Sequence, residues 1–335
     1  MINTIAGKKI YHILVPDIAK VRIERARHRR VMVFLKIFFR VQETYFKKHS
    51  NKLKLNSERK KDILRNFALL IEKEYNVFPE VDNQIHDKYF TRRIRVEKDP
   101  NTGLFYVFID DKKLFYKRGM SKSSIIYSFN TVSFEQDYAS PHRYLTVDNY
   151  FIGVIKPNNM QNEELDSFEV SDGDIVVDAG VAEGNFALSV VEKASKVYIV
   201  EGDAKWCEAL KQTFLPYKEK VEIIQKNLSN INDKDNITLT ELMTQYNINR
   251  IDFLKMDIEG YEKQALYGGS LNKEKAVNIA KMAICVYHNP EDEMEISKIV
   301  TQQGYKAYLT KGYMVVADYK NPIIRKVILR AHKEN

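Results

Sequence analysis

The sequence predicts an α/β protein whose C-terminal half is a doubly wound, mostly parallel sheet, with a helical and β-hairpin region in front of it. Three observations lead there. From Asp174 onward, apolar strand-like runs alternate with helical patterns. A turn with two glycines follows the first of those runs. Residues 18–75 contain neither glycine nor proline and show helical periodicity.

In chain order, helices are expected over 18–45 and 57–75, with Ser57 as a weakly marked N-cap because Lys60 stands where a capping box would place Glu or Gln. In the first, Val31, Phe34, Leu35, Phe38 and Phe39 recur at helical spacing among Arg29, Arg30, Lys36 and Arg40. Such a face either packs on protein or lies on anionic lipid, and the first is the commoner outcome. The run Gly103 to Gly119 places aromatic-rich segments on both sides of Asp110 and Asp111, as a β-hairpin would. Ser133 to Leu145 is polar and carries Pro141, so it reads as a loop or short helix; Tyr150 to Ile155 is strand-like.

The main sheet is expected from strands over 174–180, 196–202, 221–227, 251–260 and 281–288, the first apolar enough to be covered on both faces. Helices are expected over 184–193, around Trp206 and Leu210, over 239–246 and over 291–303. A hairpin about Lys311 and Gly312 would then supply one antiparallel strand. These readings divide the chain into a basic helical region (1–100), a hairpin and lid segment (101–170), the sheet domain (171–320) and a basic C-terminal tail (321–335).

The 335 residues carry a formal net charge of +8, and the excess is N-terminal: residues 1–100 hold 24 Lys and Arg against 12 Asp and Glu, the remainder 29 against 33. That asymmetry suits an anionic partner such as a membrane surface, nucleic acid or a phosphate-bearing substrate, and equally a solvated basic face. No apolar run in the N-terminal part is long enough to cross a bilayer, and the N-terminus has no secretory pattern, so a cytoplasmic protein is expected. The two cysteines, Cys207 and Cys285, read as reduced packing residues.

The chemistry is concentrated at strand ends. After the first strand comes DAGVAEGN, Asp178 to Asn185, including Glu183. Gly180 lets the backbone approach a ligand, and Gly184 opens a helix whose free N–H groups face it, which suits a nucleotide-like cofactor. The spacing is GxxxG rather than the GxGxxG that brings backbone against a pyrophosphate, which favours S-adenosylmethionine (SAM) over a dinucleotide. Glu201, 23 residues after Asp178, ends the second strand where a carboxylate can accept from both ribose hydroxyls. Asp257 and Glu259, two apart at the end of the fourth strand, point the same way in an extended segment. Holding the amino end of SAM, steering a hydroxyl, binding a divalent metal and capping the next helix are all open to them. The sequence itself gives a metal no support. His288, ending the fifth strand beside Glu291 and Asp292, is a candidate general base. His142, in SPHRY, is a second candidate base or substrate-binding group, or part of a rigid turn.

Together VVDAGVAEGNFAL, YIVEGD, IDFLKMDIEGYEKQAL and CVYHNPED resemble the FkbM family of methyltransferases, in order and spacing, over Val176 to Asp292. The upstream EQDYASPHRY resembles the preamble of members from bacterial glycan gene clusters. The resemblance implies a class I methyltransferase, Rossmann-like fold, SAM as donor, and O-methylation, commonly of a sugar hydroxyl in a surface glycan or its nucleotide- or lipid-linked precursor. By position it implies that Asp178, Gly180, Glu201 and Asn227 or Ser229 contact SAM, and that Asp257, Glu259 and His288 line the reaction centre. One departure is Gly202–Asp203 after Glu201, where many relatives carry proline. Two other readings compete: an RNA methyltransferase that tracks phosphates with its basic front, although no stacking platform or RNA-binding module is evident, and a non-catalytic binding protein on the same fold. An oligomer is compatible with any of them.

Overall fold

The computed structural model describes residues 94–126, 128–129, 168–270, 277–289, 291–309, 314–315 and 324–333, with single helical positions between 40 and 64. The expected lid with His142, the strand-like 150–155 and most of the two N-terminal helices lie outside these residues. The chain divides into two compact units, Met1–Val77 and Phe78–Asn335. In the first, the described positions Arg40, Glu43, Thr44, Lys47, Lys48, Ser57, Lys61 and Leu64 are helical. Among the described residues no helix is long and apolar enough to cross a membrane.

The second unit begins with a three-stranded antiparallel sheet, β1 (Glu97–Lys98), β2 (Phe105–Ile109) and β3 (Lys112–Phe115). Asp99 Oδ1 accepts from the amides of Asn101 and Thr102 and from the Thr102 hydroxyl, closing the β1–β2 turn. The expected hairpin is β2–β3, turning at Asp110–Asp111 with Asp110 at φ 54°, a conformation Asp tolerates better than most residues.

The large sheet uses β4 (Ile175–Ala179), β5 (Lys196–Val200), β6 (Val221–Ile224), β9 (Ile251–Met256), β10 (Ile279–Cys285), β11 (Lys306–Leu309) and β14 (Ile328–His332). Its order is β11-β14-β10-β9-β4-β5-β6. Between its strands run α1 (Asn185–Val190), α2 (Ala204–Thr213), α3 (Leu239–Gln245), α4 (Glu262–Ser270) and α5 (Asp292–Gln302). Two small ladders, β7 (Asn227–Leu228) with β8 (Asn236–Ile237) and β12 (Met314–Val315) with β13 (Ile324–Arg325), complete it.

Both faces of the sheet are covered. Along β4 and β9 successive residues alternate: Val176 and Phe253 join α1 and α2 through Phe186, Leu188 and Leu210, whereas Val177 and Leu254 join α3, α4 and α5 through Leu242, Leu266 and Ile296. The β1–β3 sheet adds Tyr106, Leu114 and Phe115 to the first of these cores. It is tied there by the Phe115 amide, which donates to Thr213 Oγ1 at 3.0 Å, and by Arg118 paired with Glu208. The hairpin is therefore built into the sheet domain's own core.

The antiparallel strand comes from a different segment than expected. The segment read as a basic tail contains β14, which lies between β10 and β11 and runs antiparallel to both. The reading about Lys311 and Gly312 had the right number of antiparallel strands but the wrong partner for 306–309. Arg325, Lys326, Arg330 and Lys333 gave the segment its charged look, yet Val327, Ile328, Leu329 and Ala331 are buried. Arg330 is buried with them, its guanidinium 5.5 Å from the centre of the Phe168 ring.

Candidate functional site

The strand order reverses between β4 and β9, the place where ligands of open α/β sheets bind at the carboxyl ends of the strands. A cleft of about 590 Å³ opens there, a volume in the range of small-molecule sites. Its walls include Gly180, Glu201, Asn227, Ser229, Asp257 and Glu259, all singled out in the sequence, together with Trp206, Lys226 and Tyr261, which were not.

Gly180, at φ 71°, sits where β4 ends, and a Cβ there would overlap the Asp257 carbonyl oxygen and stand 2.6 Å from its carbon. Only glycine allows the two strand ends to approach so closely. Two other residues lining the cleft hold left-handed backbone without being glycine, Ala182 (φ 46°) in the β4–α1 turn and Glu259 (φ 56°) after β9. Non-glycine residues rarely adopt such angles, and those that do cluster at functional sites.

Glu201 shapes the turn. Its Oε2 accepts from the amides of Val181 (3.0 Å) and Ala182 (2.9 Å), and its Oε1 from the amide of Asp203 (2.8 Å). With roughly four acceptor sites on a carboxylate, about one remains for a ligand in this arrangement. The expected pair of ribose contacts therefore requires one of the turn amides to be released.

Other predicted residues support the cleft from behind. Asp178 does not line it: the carboxylate is buried and pairs with Lys255 Nζ at 3.0 Å, its register partner on β9. Lys255 also donates to the carbonyls of Ala179 (3.3 Å) and Gly180 (2.6 Å), so one ammonium fixes the end of β4. Burial works against that ammonium, but the charges of Asp178 and Asp257 hold its pKa above the ordinary value. Glu183 and Asn185 are buried too; Glu183 Oε1 accepts from Asn185 Nδ2 (3.0 Å) and Ser128 Oγ (3.3 Å), and burial pushes its carboxyl up. Gly184 (φ 94°) begins α1, where a Cβ would press on Leu210 and Phe214 at 3.0 Å. In this structure these residues hold the turn in shape, and none is among the residues that line the cleft.

At the other end of the cleft, Asp257 meets a cluster. The Tyr287 hydroxyl donates to Asp257 Oδ1 at 3.2 Å. His288 lies behind, its side chain 11% exposed, with Nε2 3.4 Å from Asp257 Oδ1 and 3.6 Å from Glu259 Oε2. Its Nδ1 lies 3.2 Å from Oε1 of buried Glu262, which also accepts from the Ile258 amide at 2.9 Å. Burial disfavours the imidazolium, but the Glu262 hydrogen bond and the charges of Asp257, Glu262 and Glu259 outweigh it and raise the pKa of His288. Gly260 (φ 92°) permits this approach, since a Cβ there would stand 3.3 Å from His288 Cβ.

Lys255, Glu262 and Tyr287 escaped the sequence reading. A lysine within an otherwise apolar central strand, two residues before Asp257, was the available signal for the first. Glu262, inside IDFLKMDIEGYEKQAL, drew no separate reading.

Residues 157–307 match the family model of the methyltransferase FkbM domain. Over that stretch, less than half of the chain, the sequence is similar to FkbM methyltransferase domains. The cleft fits SAM as a methyl donor: a glycine-walled approach at Gly180, a carboxylate at Glu201 and no built phosphate cradle of the GxGxxG kind. The family match ends within β11, so β14, which completes the sheet, lies beyond it. No curated protein matches the sequence. Similar solved structures include an rRNA methylase from Streptococcus thermophilus (18% identity, 49% of this chain and 89% of that one, TM-score 0.33). Others are a Streptococcus mutans methyltransferase in complex with SAH (16%, 53% and 100%, 0.36) and precorrin-6y C5,15-methyltransferase from Geobacter metallireducens (7%, 49% and 83%, 0.34).

Proposed function

We propose that this methyltransferase acts on oxygen, moving the methyl of SAM to a hydroxyl of a sugar in a bacterial surface glycan or its nucleotide- or lipid-linked precursor. The observation that carries the oxygen part is the carboxylate–imidazole group at one end of the cofactor cleft: Asp257 on the wall, His288 behind it, Glu262 behind the ring. Attack by a hydroxyl forms the O–CH3 bond as the S–CH3 bond breaks, the bonding pair returns to sulfur, and SAH leaves. The hydroxyl proton must go to a base. Asp257 is the group the acceptor meets, and His288, whose pKa is raised, takes the proton from it. The remainder of the catalysis is alignment of oxygen, methyl and sulfur. The sugar part rests on the family resemblance, and the basic excess of residues 1–100 supports an acceptor carried on phosphate or anionic lipid.

The test is SAH release from SAM in the presence of nucleotide sugars and simple glycosides, with bulk RNA as a parallel substrate. Methyl ethers formed on sugar, with His288→Ala lowering turnover far more than SAH affinity, are the expected result. Methyl incorporation into RNA alone, or an unchanged rate in His288→Ala, would remove the sugar acceptor or the base respectively.

A further inference from the structure

We infer that Asp257, Glu259 and His288 form a binding site for one hard divalent cation of the magnesium or manganese class, at the acceptor end of the cleft, with Glu262 orienting the imidazole. This rests on the methyltransferase reading above and adds to it the group that would receive the acceptor oxygen.

Asp257, Glu262 and His288 each present a donor atom within 4.8 Å of the others. The imidazole divides them. Glu262 faces Nδ1, while Asp257 and Glu259 face Nε2, and one ion cannot be shared between two nitrogens on opposite sides of a ring. A metal-bound histidine commonly directs its other ring N–H to a carboxylate, which fixes the tautomer and aims the free lone pair. Glu262 is in that position: it is 1% exposed, is held by the Ile258 amide through Oε1, and its buried Oε2 has no hydrogen-bond partner.

On the other side of the ring, the separations of 3.4 Å and 3.6 Å exceed a good N–H···O hydrogen bond. They match donor atoms sharing an ion. Ligands about 2.1 Å from one octahedral cation stand about 3 Å apart at adjacent positions, so each carboxylate must close on Nε2 by about half an ångström, and Glu259 must in addition swing toward Asp257. Glu259 is 90% exposed at its side chain and free to make that movement.

Charge points the same way. Three carboxylates surround a single imidazole, and Lys255, whose ammonium the Asp257 charge also favours, is committed to Asp178. Even with the ring protonated the cluster stays negative by two. Two carboxylates and one imidazole suit a hard cation that keeps several waters, one of which an acceptor hydroxyl could replace. The cation would lower the pKa of that hydroxyl, and its proton would pass to solvent, so that with the metal bound His288 holds the ion instead of taking the proton as proposed above.

The experiment is titration of the full chain with Mn2+, followed by electron paramagnetic resonance, beside isothermal titration with SAH on the same samples. One saturable Mn2+ per chain is expected, weakened at least about tenfold by Asp257→Asn and by about 10- to 100-fold by Glu262→Gln. SAH affinity should change little in Glu262→Gln. Glu259→Gln, at a side chain 90% exposed, should also weaken Mn2+. Absence of saturable binding, or binding indifferent to both Glu259→Gln and Glu262→Gln, overturns the site while leaving SAH binding to report separately on the methyltransferase reading.

Discussion

Replacing Lys255 by methionine tests how the cofactor turn is held. The ammonium is nearly inaccessible (side chain 5% exposed) and serves three acceptors, Asp178 Oδ1 and the carbonyls of Ala179 and Gly180. Methionine fills most of the volume but leaves the Asp178 carboxylate, 1% exposed, without its cation. Removing one partner of a buried pair costs about 3–5 kcal/mol. The loss should depend on pH. Without Lys255, burial sets the folded pKa of Asp178 above its unfolded value of about 3.9. Stability is then retained below that value and lost as pH rises toward neutrality. Adding Asp178→Leu should restore most of the stability, because no buried charge remains. It should not restore SAH affinity, because the Ala179 and Gly180 carbonyls still lack their donor. Urea denaturation at pH 5 and pH 7, with SAH titration on each variant, reads both quantities. A single variant that loses less than about 1 kcal/mol at pH 7, or a double variant no more stable than the single, would refute the reasoning.

Further expectations follow from the same geometry. Gly180→Ala meets backbone at Asp257 and must displace the turn, so SAH affinity should fall by about a hundredfold or more; Gly202→Ala overlaps only the Asn227 side chain, which can rotate, so its loss should be much smaller. Because His288 has a raised folded pKa, its contribution to stability is full below the unfolded value of about 6.5 and disappears as pH rises through the folded value. Glu262→Gln should flatten that slope in urea midpoints measured from pH 5 to pH 9. Asp257→Asn should reduce turnover with SAM more than it reduces SAH affinity, as single-turnover kinetics beside calorimetry would show.

The sheet was legible because its strands are covered on both faces and bounded by turn residues, so β4, β5, β6, β9 and β10 stand out as apolar runs. The strand β14 was not, because its continuously buried run Ile328 to Ala331 includes Arg330, whose charge is accommodated against Phe168. The residues on the cleft wall at Gly180, Glu201, Asp257 and Glu259 were legible from their places at strand ends. What position alone could not give was direction. Asp178 sits close to the cleft yet pairs with Lys255 on β9, and His288 reaches the cleft only through Asp257 and Glu259. Both facts depend on register and rotamer, which spacing in the sequence does not fix.

The most direct measurement is calorimetric titration of the full chain with SAH and, separately, with NAD. Wild-type protein should bind SAH and not NAD. Glu201→Ala should weaken SAH by about 10- to 150-fold, the value of one hydrogen bond to a charged group. Retention of NAD with no heat from SAH, or SAH affinity untouched in Glu201→Ala, would contradict the placement of the cofactor between Gly180 and Glu201.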